Sequence, residues 1–238
     1  MRKDFLLEIE STEERLVDTL IDKVADDLGE QVDKFIGHGA LGYAYLLNSG
    51  RVLKLTEDKN EINLIYNLSK LSSIPRSLMT YYNIGKVEDT EYFYILMDYV
   101  EPLSDDEKSA VNIFYMNRIQ YKKDYYENIM NEYLAGHIEE WFEKRFTSNK
   151  KDEYIRICHY LLPHIRNIVK DLKKHKIKVT DFHGGNLGWD KGHNNLILFD
   201  LGGFLYGEDR PLDRIPKLKT MQFTENLIIK FSDFKKIN

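Results

Sequence analysis

Asp181-Phe182-His183-Gly184-Gly185-Asn186, followed by Leu198-Phe199-Asp200-Leu201-Gly202, decides how this chain is read. The two segments supply two carboxylates and one amide. One acid can orient a hydroxyl nucleophile, while an Asn and a second acid can hold a divalent metal on nucleotide phosphates. Neither segment is decisive alone. Upstream of both lie a glycine loop and a lone lysine in an apolar strand pattern, and the four together point to phosphoryl-transfer chemistry.

Gly37-His38-Gly39-Ala40-Leu41-Gly42 has the spacing G-x-G-x-x-G. In a dinucleotide fold this motif closes a strand and opens a helix. Here a second strand pattern, Tyr43-Ala44-Tyr45-Leu46-Leu47, follows instead. Glycines in such a hairpin let backbone N–H groups approach phosphate oxygens. The same pattern also fits an ordinary hairpin turn. Lys54 stands in Arg51-Val52-Leu53-Lys54-Leu55-Thr56, either facing solvent or serving as an inward cation. Its place shortly after the glycine loop favours the second.

Around these motifs the chain reads as strands flanked by helices. Residues 12–28 predict an amphipathic helix with Leu16, Leu20, Ile21, Val24 and Leu28 as its apolar stripe. Ser11-Thr12-Glu13-Glu14 is a capped start and Gly29 a stop. Strands are expected at 34–36, 43–47 and 51–56, with Asn48-Ser49-Gly50 as a turn. A helix is expected over about 58–71, then strands near 79–87 and 91–100 joined by Glu88-Asp89-Thr90. Beyond Val100 the pattern is mainly helical. Ser104-Asp105-Asp106-Glu107 forms a capping box. A long helix is expected over 121–146, its buried stripe running from Ile129 to Phe142. Another spans 152–174, bent or restarted at Pro163. A short hairpin is expected around Asn194-Asn195.

With these elements in order, the chain resembles the protein-kinase-like superfamily from about Val32 to Phe204. Asp181 matches the catalytic-loop acid, Asn186 the metal-binding Asn, and Asp200-Leu201-Gly202 the D-F-G element. Gly37 to Gly42 match the glycine loop and Lys54 the strand lysine; Ala44 stands where valine is usual. The resemblance implies an α+β, bilobal protein-kinase-like fold. Residues 1–31 would be an N-terminal helical extension, 32–100 the N-lobe, and 101–238 a reduced C-lobe, since 36 residues (238 − 202) follow Gly202.

It also implies ATP and Mg2+ as cofactors, with the nucleotide between the lobes. Gly37, His38, Gly39, Ala40, Leu41, Gly42 and Ala44 would cover the phosphates. Lys54 would position them and pair with a helix glutamate, for which Glu61 is the candidate. Glu61 can alternatively cap its helix with Asp58, and Glu57 is a second candidate partner. Met97, Asp98, Tyr99 and Val100 match the hinge that meets adenine. Asp181 would orient the acceptor hydroxyl, Asn186 and Asp200 would hold metal, and His183 would offset charge on the transferring group.

The departures bear on the acceptor. Val179-Thr180 precede Asp181 where protein kinases carry His-Arg, and no A-P-E follows Gly202. Asp-x-His-x-Gly-Asn is similar to the loop of aminoglycoside and other small-molecule phosphotransferases. A protein Ser/Thr hydroxyl is the first acceptor expected and a small-molecule hydroxyl the second. The rivals are a pseudokinase that binds nucleotide or a partner without turnover, and a nucleotidyl transferase.

Composition narrows the classes further. The 238 residues are 42% hydrophobic and 31% charged, with net charge −5, which argues against nucleic-acid backbone binding. No apolar run reaches the ~18 residues of a membrane span, and Met1-Arg2-Lys3-Asp4-Phe5 opens no signal-peptide core. Cys158 is the single cysteine, which excludes an internal disulfide and a cysteine zinc site. The other histidines, including His137, His159, His164, His175 and His193, show no paired ligand spacing. A cytoplasmic protein is expected. The abundance of Lys, Ile, Asn and Tyr, which have A/T-rich codons, fits an AT-rich bacterial or viral genome.

Overall fold

The structure is a computed structural model that describes residues 2–39, 41–71, 73–119, 150–178, 182–190, 192, 194–202 and 205–206. The described residues are α+β and divide into two compact units. One holds 2–66 and 80–99, the other 67–79 and the described part of 100–206. The expected helix over 121–146 and its stripe lie outside the described residues.

The first unit is an antiparallel sheet in the order β1-β2-β3-β5-β4, with helices before and within it. Its strands are β1 (Val32–Gly39), β2 (Gly42–Leu47), β3 (Arg51–Thr56), β4 (Tyr81–Lys86) and β5 (Phe93–Asp98). Turn chemistry sets the hairpins. Gly50 adopts φ +79 and closes the β2–β3 turn through its N–H to Leu47 C=O. Asp89, at φ 57, turns the chain between β4 and β5.

Strand alternation then sorts side chains between two faces. Tyr45, Leu47, Leu53, Leu55 and Leu96 face a core shared with α1 (Arg2–Asp27), which contributes Val17, Ile21, Val24 and Ala25. Ala44, Lys54, Ile95 and Ile84 form a row on the opposite face, each paired with the next across the sheet. Helix α1 therefore packs onto the sheet and seals the face away from Lys54.

Two details of α1 differ from expectation. The helix begins at Arg2, so Ser11 to Glu14 lie inside it rather than at its start. The preceding residues, rich in Leu and Glu, are good helix formers and extend it. Its buried stripe runs through Val17, while Leu16 is 52% exposed. The 17-21-24-28 frame aligns with Gly29, whose φ of +70 ends the helix. Tyr45 fastens α1 to β2 by donating its hydroxyl to Asp18 Oδ1 at 2.6 Å.

The second unit holds α3 (Asp105–Ile119) and α4 (Lys151–Lys174) with short strands between and after them. The capping box is reciprocal. Glu107 N–H donates to Ser104 Oγ at 3.3 Å and Ser104 N–H to Glu107 Oε2 at 2.8 Å. Helix α4 runs through Pro163 without a restart. That residue is exposed, so water can serve the carbonyl left without its helical partner. Leu161, Leu162, Ile165, Ile168, Val169 and Leu172 form its buried stripe. Strands β6 (Glu101–Pro102), β8 (Leu187–Asp190) and β9 (Asn195–Leu198) form one small sheet. Strands β7 (Ile177–Lys178) and β10 (Leu205–Tyr206) form another. The β8–β9 hairpin turns at Asn194, at φ 52, as its sequence predicts.

Among the described residues no helix is long and apolar enough to cross a membrane.

Burial, then hydrogen bonds to Asp18 and Asp98, raise the Tyr45 and Tyr82 phenols above the usual value of about 10; Tyr82 is pushed up to about 12. A raised folded-state value gives stability that is complete below pH ~10 and lost as pH climbs through the folded value. Thermal melts above pH ~10 should therefore show a melting temperature that falls with pH. The slope should be shallower in Tyr45→Phe/Tyr82→Phe. Equal slopes would show that neither phenol is linked to folding.

Candidate functional site

Lys54 is central in β3, between Leu53 and Leu55, whose side chains face α1. Alternation sends Lys54 to the other face. There its Nζ meets both carboxylate oxygens of Glu61, at 2.8 and 2.9 Å. The side chains are 13% and 2% exposed, so this is a buried charge-assisted pair. Glu61 lies in the first turn of α2 (Lys59–Ser69). The helix is capped by Asp58, whose Oδ1 accepts from Asn60 N–H at 2.8 Å and Glu61 N–H at 3.3 Å. Asp58 N–H itself donates to Thr56 Oγ1, so the Glu61 carboxylate goes to Lys54 rather than back to the cap. Glu57 is exposed, and its N–H donates to Leu41 C=O at 3.0 Å.

The glycine motif forms a strand–turn–strand hairpin, with Gly39 paired to Gly42 and Gly37 to Ala44. Ala40 lies outside the described residues. Leu41 and His38 are exposed, and His38 stacks at 6.4 Å on Phe35. The three glycines differ in kind. A Cβ on Gly42 would lie 2.5 Å from Leu55 O, so the β2–β3 approach demands glycine there. A Cβ on Gly37 or Gly39 would meet no described atom within 4 Å. Neither of these two has a positive φ. Protein packing among the described residues therefore gives no reason for glycine at 37 or 39.

At the end of β5, Met97 is buried and Tyr99 exposed. Asp98 N–H donates to Thr80 C=O at 3.1 Å, and its carboxylate accepts from Tyr82. The Asp98 N–H is thus engaged within its own unit.

In the second unit, the β8–β9 pairing brings together the segments that carry the two metal candidates, one before β8 and one after β9. Phe199 N–H donates to Asn186 C=O at 3.0 Å, directly extending the Leu187–Leu198 pair. Asn186 is buried, and Asp200 follows Phe199 with its Oδ1 accepting from Gly202 N–H at 2.9 Å. Val100 is also buried and stands over Gly188 of β8. Asp181 lies outside the described residues. Its flanks are placed: β7 ends at Lys178 and pairs with β10, which follows the Asp-Leu-Gly element.

His183 begins the 3₁₀ turn Gly184–Asn186. Its Nδ1 accepts from Gly185 N–H at 3.0 Å, and its C=O accepts from Asn186 N–H at 3.1 Å. The ring thereby shapes the turn. Asn112 on α3 holds the same turn, accepting from Gly184 N–H at 2.9 Å. No sequence motif marks Asn112; only its contact across 72 positions does.

Burial pushes the Cys158 thiol up to about 12, so it is an inert core residue and no nucleophile. Among the described residues no cluster of three or more His, Cys, Asp or Glu could hold a metal. The remaining donor set, an amide and a carboxylate on segments that flank the β8–β9 pair, suits Mg2+, which takes one or two protein ligands with phosphate and water.

No family model matches the chain. No curated protein matches it in sequence. Among solved structures it is similar to the crystal structure of the PF14_0431 kinase domain. Identity is 10% over 76% of this chain and 53% of that one, at a TM-score of 0.43. The chain spans about half the length of that kinase domain.

Lys54→Met takes the paired cation away from the buried Glu61 carboxylate and should cost about 3–5 kcal/mol. Lys54→Met/Glu61→Leu should recover most of this in denaturant titration, and a single variant as stable as wild type would show the pair to be weak. The glycines give a second test. Gly39→Ala should leave stability unchanged or raise it by up to ~1 kcal/mol, whereas Gly42→Ala should destabilise. Equal losses at both would mean that Gly39 is also set by packing.

Proposed function

We propose that this chain is an ATP- and Mg2+-dependent phosphotransferase that moves the γ-phosphoryl group to a hydroxyl acceptor. The observation that carries the reading is the buried Lys54–Glu61 pair on the sheet face that Gly42 and Ala44 share. A strand lysine oriented by a helix carboxylate is suited to gripping nucleotide phosphates. Gly37 and Gly39 support it, because open space beside them lets a phosphate approach the backbone.

In this proposal Lys54 orients the α- and β-phosphates, and the 37–42 hairpin covers them. Asn186 and Asp200 are the residues that would hold Mg2+, which when bound neutralises charge on the phosphate oxygens. Asp181 orients the acceptor hydroxyl and takes its proton. The bond between the γ-phosphorus and the bridging oxygen breaks, the bond to the acceptor oxygen forms, and ADP leaves. His183 stands beside the transferring group and offsets its charge. Positioning and electrostatics supply most of the rate in such a transfer. The first acceptor proposed is a protein Ser or Thr; a small alcohol, favoured by the Asp-x-His-x-Gly-Asn loop, is the second.

The test is incubation with magnesium and ATP labelled at either the γ or the α position, with host lysate or a panel of small alcohols. Label from the γ position alone is expected in the product. Label from the α position would make the protein a nucleotidyl transferase, and nucleotide binding without consumption a pseudokinase. Asp200→Asn is expected to lower metal-dependent transfer by at least ~100-fold with the fold intact, since the metal needs the carboxylate charge. Asp181→Asn should spare ATP binding and remove transfer. A collapse of nucleotide binding in Asp181→Asn would reassign that residue to the metal.

A further inference from the structure

The Gly184–Asn186 turn is held from one side by helix α3, at two successive turns of that helix. Gly184 is buried, and its N–H donates to Asn112 Oδ1 at 2.9 Å. One helical turn earlier, a Cβ on Gly184 would lie 2.7 Å from Lys108 Cα and 2.9 Å from Lys108 O. Glycine is thus required there because the loop backbone lies directly on the helix backbone. The first turn of α3 also fixes the strand that follows the loop: Trp189 Nε1 donates to Glu107 Oε1 at 3.2 Å.

The turn itself is short and closed on itself. His183 Nδ1 takes Gly185 N–H and His183 C=O takes Asn186 N–H. Gly184 N–H reaches out of the turn to a side chain of another element. Asn186 stands two residues on, with its C=O bonded to Phe199 N–H beside Asp200. A shift of Gly184 away from α3 therefore moves Asn186 relative to Asp200.

We infer that Asn112 is a positioning residue that, through Gly184, sets the placement of Asn186 for the metal; this rests on the phosphotransferase reading. Asn112 acts as the acceptor that fixes the turn, so an aspartate, which keeps the acceptor oxygen, can replace it. Alanine cannot, and would leave the buried Gly184 N–H without its partner.

The experiment compares the full-length wild type with Asn112→Ala and Asn112→Asp. Hydrogen exchange at Gly184 is read together with steady-state ATP hydrolysis, water serving as acceptor, across a magnesium titration. In Asn112→Ala the Gly184 amide is expected to exchange faster, kcat to fall about tenfold or more, and half-saturating Mg2+ to rise by a similar factor. KM for ATP should change little, because Lys54 and the glycine hairpin are untouched. Asn112→Asp should return both the exchange rate and the magnesium dependence to near wild type.

The inference is overturned if folded Asn112→Ala keeps the wild-type kcat and magnesium dependence, or if Asn112→Asp fails to restore them. An Asn112→Ala chain that does not fold would make Asn112 purely structural and equally overturn it. Failure of the underlying reading looks different: the wild type then shows no magnesium-dependent ATP turnover at all.

Discussion

A lysine in the middle of a sheet stays charged when buried only if a carboxylate reaches it. Lys54 and Glu61 satisfy that constraint, at 2.8 and 2.9 Å, with little exposure of either side chain. Several features of the first unit serve the pair. Strand β3 places Leu53 and Leu55 under α1 and so turns Lys54 to the other face. Asp58 caps α2 and thereby presents Glu61 from its first turn. Gly42 gives β2 its close approach to β3, next to the Lys54 stem. A buried ion pair adds little net stability over an apolar substitute.

The second unit solves a different problem, which is to hold an amide and a carboxylate on adjoining backbone. Continuous pairing of β8 with β9, carried one residue past each strand to Asn186 and Phe199, brings the two segments together. The turn before β8 then needs support from outside, and α3 provides it through Asn112 and the Lys108 backbone. The capping box at Ser104 and Glu107 therefore has a reach beyond its own helix, because Glu107 also binds Trp189.

Much of this was legible in the sequence where the signal is local. Strand β3 is found over the expected residues, and the turns at Gly50 and Asn194 and the stop at Gly29 follow from residues that tolerate positive φ. The Ser104 box likewise formed as written. The choice of Glu61 over Glu57 as the lysine partner agrees with the geometry, because helix capping by Asp58 leaves the Glu61 side chain available to β3. What escaped was non-local. Leu16 and Val17 are both apolar, and only the sheet beneath α1 selects Val17. The start of α1 was masked by Ser11-Thr12, which reads as a cap but lies within a longer helix. Asn112 carries no motif, and the part His183 Nδ1 plays in the turn depends on a backbone N–H two residues away.

The most direct measurement is a crystal structure with magnesium and a non-hydrolysable ATP analogue. Lys54 Nζ is expected within hydrogen-bond distance of phosphate oxygens while still paired with Glu61, and Asn186 Oδ1 and an Asp200 carboxylate oxygen are expected as metal ligands. A nucleotide bound away from Lys54, or a metal held by neither Asn186 nor Asp200, would contradict the proposed phosphotransfer site.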